Sequence, residues 1–273
     1  MIKRIGMLTS GGDCQALNAT MRGVVKGLSN NLDELEVYGF DDGYKGLIYG
    51  KYRMLTSKDF SGILTQGGTI LGTSRQPFKL MRVPDENGLD KVEAMKQTYY
   101  KLCLDCLVIL GGNGTQKTAN LLREEGLNII HLPKTIDNDL AVTDHTPGYG
   151  SAAKYIASTM KEIIRDALVQ PIKIVNIIEI MGRNAGWLTA AAALAKGDDC
   201  EGADLIYLPE TVFDINKFVA KVQEIQKTKK QIVVAVSEGV KTADGKYVCE
   251  SASSNMLVDS FGHKQLSGTA TAL

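Results

Sequence analysis

The segment Pro133-Lys134-Thr135-Ile136-Asp137-Asn138-Asp139 gathers two carboxylates, a hydroxyl and an ammonium group in one short stretch. It follows the apolar run 128–132, which reads as a short buried strand. Pro133 ends that strand, because it has no amide hydrogen to give to a sheet. No glycine marks the stretch as an ordinary turn. In extended chain Asp137 and Asp139 project to the same side. Like charges so close repel unless a cation or a substrate proton lies between them. A solvated loop of the Asx type is the alternative reading. Its place after a strand favours a ligand, since open α/β sheets bind theirs beyond the carboxyl ends of strands.

Four more loops carry chemistry. Thr9-Ser10-Gly11-Gly12-Asp13 separates a strand over 2–8 from a helix over 16–28, whose apolar side holds Leu17, Met21, Val24, Val25 and Leu28. Paired glycines before a helix let backbone amides approach a phosphate. Asp13 has the wrong charge for that unless a magnesium ion intervenes. Gly111-Gly112-Asn113-Gly114-Thr115 repeats the arrangement between a strand over 106–110 and a helix over 116–125. Gly67, Gly68 and Gly72 lead up to Arg75, as in a loop folded tightly around an anion or in a plain surface loop. Met181-Gly182-Arg183 follows a strand over 173–180 and is closed by Gly186. Arg183 reads there as a clamp for a phosphate or a transition state, with an ordinary loop arginine as the alternative.

The elements that must position these loops alternate in type. Strands over 36–40, 205–208 and 231–236 and helices over 90–101, 151–168, 190–195 and 215–229 complete the series. Such alternation defines an α/β fold with parallel sheets and the candidate loops on one sheet edge. The 273 residues suit two lobes. Lysine plus arginine and aspartate plus glutamate number 31 each, and no basic stripe suggests nucleic acid as a partner. Apolar runs fall short of a membrane span, and the chain enters a strand at once rather than a signal peptide. The five scattered cysteines, including the lone pair Cys103 and Cys106, read as buried reduced thiols.

In order and approximate spacing these loops resemble the phosphofructokinase family. The resemblance rests on Gly11-Gly12-Asp13, Gly111-Gly112-Asn113-Gly114-Thr115, the 133–139 segment, Met181-Gly182-Arg183, Pro209-Glu210 and Gly262-His263. It implies two Rossmann-like lobes, each a mainly parallel sheet flanked by helices. The larger, donor-binding lobe is expected over 1–140 and a fructose 6-phosphate lobe over 141–255, with 256–273 returning towards the first. It implies transfer of a phosphoryl group to the sugar 1-hydroxyl in glycolysis, in a cytoplasmic homodimer or homotetramer. Asp137 would be the base, with Thr135 near the attacking oxygen, Gly12 offering its amide, and Arg75 and Arg183 countering charge. Gly11, Gly12, Arg75, Gly112, Asn113, Gly114, Thr115 and Lys134 would bind the donor. Thr135, Asp137, Asp139, Met181, Gly182, Arg183, Glu210 and His263 would bind the sugar phosphate, and Asn113, Asp137 and Asp139 would attend Mg2+.

The departures are specific. Asn113 stands where the family commonly has an aspartate near magnesium, Asp41 where it has an aromatic contact for adenine, and Leu266 where it has an arginine. The family's chain normally continues beyond 273. Pyrophosphate-using members typically pair a lysine at Lys134 with an aspartate at the place of Gly114, and this chain has the lysine alone. ATP is the favoured donor, because Gly114 leaves room for an α-phosphate. Pyrophosphate is the alternative, and a catalytically weak regulatory homologue that binds sugar phosphate is a second.

Overall fold

The computed structural model describes residues 2–12, 14–251 and 266–273. The chain divides into two compact units between Thr135 and Ile136. Each is an α/β structure built on its own sheet.

In the first unit the elements run β1 (Lys3–Ser10), α1 (Leu17–Asn31), β2 (Leu35–Phe40), α2 (Tyr44–Tyr49), β3 (Tyr52–Leu55), α3 (Lys91–Lys101), β4 (Cys106–Gly111), α4 (Asn113–Glu124) and β5 (Ile129–Pro133). The sheet order is β3-β2-β1-β4-β5, parallel throughout except for β3. β4 is buried along its whole length, as its unbroken apolar run requires of an inner strand covered on both faces. Leu107 and Ile109 join Leu8, Phe40, Met95 and Leu122 in the core beneath the helices. Asp90 starts α3 by accepting from the amides of Val92 and Glu93 at 2.9 and 3.0 Å.

Three expectations change here. β5 is the edge strand and is only half covered, with Ile130 51% exposed, rather than buried. Pro133 belongs to it as its last residue, a place where a missing amide hydrogen costs the sheet little. α2 and β3 were not expected at all. Both are short, and three of the four β3 side chains are exposed, so neither produces a periodic signal.

The second unit runs α5 (Tyr149–Leu168), β6 (Ile174–Ile180), α6 (Trp187–Ala190), β7 (Leu205–Tyr207), α7 (Ile215–Ile225), β8 (Gln231–Ser237) and α8 (Thr269–Ala272). Its sheet order is β6-β8-β7, all parallel. Alternate side chains of β8 serve two cores, as strand geometry dictates. Val233 and Ala235 face Met160, Ile164 and Leu188, whereas Ile232, Val234 and Val236 face Phe213 and Phe218. The expected helix over 190–195 is instead the end of α6 followed by a 3-10 turn, Ala191–Ala195. α7 stops at Ile225, short of 229. The stretch 266–273, expected to lead back towards the first lobe, packs in the second unit. Four of the cysteines are buried, whereas Cys103 is exposed, contrary to expectation.

Candidate active site

In the first sheet Ser10 pairs with Gly111, and Gly111 with Pro133. The loops after β1, β4 and β5 therefore leave one edge side by side. Close approach is enforced at Gly111, where a β-carbon would stand 2.6 Å from Ser10 O and 2.5 Å from Thr115 Oγ1. Thr115 Oγ1 donates to Ser10 O at 3.1 Å, and Tyr44 donates to Thr115 O at 2.8 Å. Those bonds lock the start of α4 to the end of β1 and to the start of α2.

α4 begins at Asn113, three residues earlier than its sequence suggests. Gln116 N–H makes an early bond of the helix, to Gly112 O at 3.0 Å. The amides of Asn113, Gly114 and Thr115 thus stand in the first turn, where helix N–H groups are left for an external acceptor. No acidic side chain occupies that turn. It is an anion-seeking end. α1 starts at Leu17 with Ala16 as its N-cap, close to the expected place, but the loop after β1 differs from expectation in that the Gly11 amide donates to Ser74 O at 3.3 Å. That bond, with Thr73 Oγ1 donating to Gly11 O at 2.7 Å, ties the loop holding Arg75 to Gly11-Gly12. Lys134 Nζ lies 3.7 Å from where a Gly12 β-carbon would be. Asp41 accepts from Arg53 at 3.2 Å, so its carboxylate is engaged with a cation of its own loop system.

In the second unit, the loops after β6, β7 and β8 gather in the same fashion. Gly182 N–H donates to Glu238 Oε1 at 3.3 Å, and Glu238 N–H to Ile180 O at 2.9 Å. Gly186 N–H donates to Glu210 Oε1 at 2.7 Å, which fastens the Met181–Gly186 loop to the end of β7. Gly182 has φ of 141° and faces Ala185 O at 2.6 Å from its absent β-carbon, so only glycine makes this turn. Met181 is 57% exposed. Arg183 and Asp137 both act electrostatically on Glu238. Glu238 is a site-loop residue that the sequence reading above does not single out. Its signal was the same as that of Glu210, a glutamate just past a parallel strand.

Asp137 and Asp139 do not share a side. Asn138 between them is left-handed, with φ of 56°, which breaks the alternation of extended chain. Its side chain holds that shape by donating to Asp144 O at 3.1 Å and accepting from Thr146 N–H at 2.8 Å. Asp139 is exposed, while Asp137 is half-buried with its Oδ1 shut off from solvent. Leu266 is only 3% exposed and belongs to the interior rather than to a substrate surface. His263 and Asp13 lie outside the described residues.

Burial holds the Glu238 carboxyl above the ordinary glutamate range; the Gly182 amide counters it, Asp137 adds to it and Arg183 opposes it. A folded-state value above the unfolded one means stability that is present at low pH and lost as pH rises through it from about 4.3. Glu238→Gln removes that loss. The variant should melt higher than wild type at pH 8 and lose the advantage below about pH 4. A lower melting temperature at pH 8 would contradict the burial effect.

A family profile described as phosphofructokinase matches residues 4–273. The chain belongs to the phosphofructokinase family. It is 46% identical over 245 residues to the ATP-dependent 6-phosphofructokinase of Spirochaeta thermophila, covering 87% of this chain and 64% of that one. It is 36% identical to the pyrophosphate–fructose 6-phosphate 1-phosphotransferase of Amycolatopsis methanolica, covering 99% and 74% of the two chains. The solved phosphofructokinase of Saccharomyces cerevisiae superposes with a TM-score of 0.75 at 28% identity, over 90% of this chain and 35% of that chain. The chain thus spans just under two thirds of the length of the S. thermophila relative.

Proposed function

We propose that the protein phosphorylates fructose 6-phosphate at its 1-hydroxyl, with ATP as donor and Asp137 as the general base. The observation that carries this reading is Asp137, half-buried, with one oxygen shut off from solvent and in electrostatic reach of Glu238, as Arg183 is. A carboxylate so placed accepts a proton, and the Arg183 guanidinium counters charge on a transferred phosphoryl group. The first unit takes the donor: amides of α4 and of Gly12, with Arg75 and Lys134, supply positive potential for polyphosphate, while Gly11 ties the loop to Ser74. The second takes the sugar phosphate through Met181, Gly182, Arg183, Glu210 and Glu238, joined in this proposal by His263. In this proposal the Thr135 hydroxyl hydrogen-bonds near the oxygen that Asp137 deprotonates. Positioning and charge stabilisation then supply most of the rate.

Gly114 favours ATP, because it is a first-turn residue of α4 with no side chain to meet an α-phosphate. Lys134 beside Gly12 and the A. methanolica relative keep pyrophosphate as the second reading. Incubating the purified protein with fructose 6-phosphate and each donor in turn, and following fructose 1,6-bisphosphate, separates the two.

Magnesium fits the donor chemistry of these residues, all of which present oxygen. Among the described residues no three carboxylates, imidazoles or thiols come together as a cage. That suits an ion held by one or two side chains and donor oxygens. In the first unit the Asn113 amide would supply one such oxygen, in the second Asp137 or Asp139 is the candidate, and the ion would neutralise charge on the transferred group. Asn113→Asp should lower the magnesium concentration for half-maximal rate, since a carboxylate binds the ion better than an amide. The fold should tolerate it, because an acid in the first turn of a helix is favourable. An unchanged or higher requirement, read from a magnesium titration of the rate, would remove position 113 from the metal site. Self-association into a dimer or tetramer and a cytoplasmic setting complete the proposal. Among the described residues no helix is long and apolar enough to cross a membrane.

A further inference from the structure

Between β3 and a 3-10 turn at Phe78–Leu80 lie more than twenty residues without helix or strand. The backbone of such a stretch must find its hydrogen-bond partners elsewhere. Most of those found here come from one place, the end of β1 and the beginning of α1. Thr9 Oγ1 shares a bond with Thr69 Oγ1 and donates to Gly72 O, both at 2.8 Å. Ser10 Oγ donates to Ser74 O at 3.2 Å. Asn18 makes three bonds with one side chain: its Nδ2 donates to Gln66 O and Gly67 O at 3.1 and 3.3 Å, and its Oδ1 accepts from Ile70 N–H at 2.8 Å. It is 1% exposed, so these bonds are not contested by water.

We propose that Asn18 is a positioning residue for phosphoryl transfer, its carboxamide holding the 66–70 turn so that Arg75 is presented beside Gly11-Gly12. The proposal rests on the donor-binding role given above to Arg75. The three bonds use both ends of the amide, so they define the turn in direction as well as in distance. Asn18 reaches no ligand itself. It acts only through the segment it fastens. Residues 71–74 transmit the constraint, since Leu71 O accepts from Asp42 N–H at 2.8 Å and Ser74 O from Gly11 N–H at 3.3 Å.

Asn18→Ala removes all three bonds. Asn18→Asp keeps the acceptor for Ile70 and turns both donor contacts into a carboxylate facing two carbonyls. Both variants should lower kcat at least about tenfold and leave the KM for fructose 6-phosphate within about twofold, with no rescue by aspartate. The effect should vanish once Arg75 is gone: the Asn18→Ala/Arg75→Ala double variant should be no slower than Arg75→Ala alone, because the two residues act as one unit. A double variant slowed by the full product of the single effects would overturn the proposal.

A second reading needs no turnover. Trypsin cleavage after Arg75 should become at least about tenfold faster in Asn18→Ala, while cleavage after the α4 residue Arg123 keeps its wild-type rate. Equal rates after Arg75 in variant and wild type, or equal acceleration at both sites, would show that Asn18 does not specifically hold this loop. A wild-type protein with no turnover from either donor would bring down the functional reading, and the cleavage ratio would still decide whether Asn18 places Arg75.

Discussion

Asp137→Asn leaves a folded protein that binds fructose 6-phosphate and phosphorylates it roughly 10²–10⁴-fold more slowly, the range a general base supplies. The substitution is nearly isosteric and keeps a hydrogen-bonding group at a half-buried site whose Oδ1 is shut off from solvent. What it removes is the capacity to accept the proton of the 1-hydroxyl as that oxygen attacks. An interaction needed only in the transition state shows in kcat rather than in KM. Removing the negative charge also brings the Glu238 carboxyl back towards its ordinary range, because Asp137 adds to the upward shift that burial imposes. Steady-state kinetics with calorimetric titration of fructose 6-phosphate check both halves. A wild-type kcat would take Asp137 out of the mechanism, and loss of sugar binding would make it a binding residue instead.

The donor preference should shift just as steeply with Gly114→Asp. Gly114 lies in the first turn of α4, which carries no acidic side chain. A carboxylate there is compatible with the helix, because the macrodipole favours negative charge at that end. The cost falls on the ligand. Two unit charges about 4 Å apart repel by about 4 kcal/mol at an effective dielectric near 20. Since each 1.4 kcal/mol is about tenfold, turnover with ATP should fall by at least two orders of magnitude. Pyrophosphate has no α-phosphate to meet the new carboxylate, and Lys134 beside Gly12 remains to pair with it. Any activity with pyrophosphate should therefore survive or rise. Untouched ATP turnover, measured with both donors in separate assays, would mean that the nucleoside does not pass Gly114.

How far the sequence foretold this arrangement depends on the range of the interactions concerned. β4 was legible because an inner parallel strand is apolar throughout, and α3 because Asp90 marks its start. The order of site loops was legible because each follows a strand. The start of α4 was not, since Asn113-Gly114-Thr115 has loop composition and becomes helical through bonds from Thr115 to Ser10 and from Tyr44 to Thr115. The separation of Asp137 from Asp139 was hidden for a related reason. Asn138 turns left-handed because Asp144 and Thr146 hold its side chain, and neither contact has a sequence signature. β5 read as buried because its apolar residues do not reveal that it closes the sheet at an edge. Asn18 was invisible, as its partners lie 48 to 52 residues away.

The central claim is phosphoryl transfer to the sugar 1-hydroxyl, and one assay tests it most directly. The purified protein is given fructose 6-phosphate and Mg2+ with ATP, or with pyrophosphate, and fructose 1,6-bisphosphate is followed through an aldolase-coupled assay. Steady formation of the bisphosphate with ATP, reduced at least a hundredfold in Asp137→Asn, is the predicted result. A folded protein that binds fructose 6-phosphate but makes no bisphosphate from either donor would contradict it.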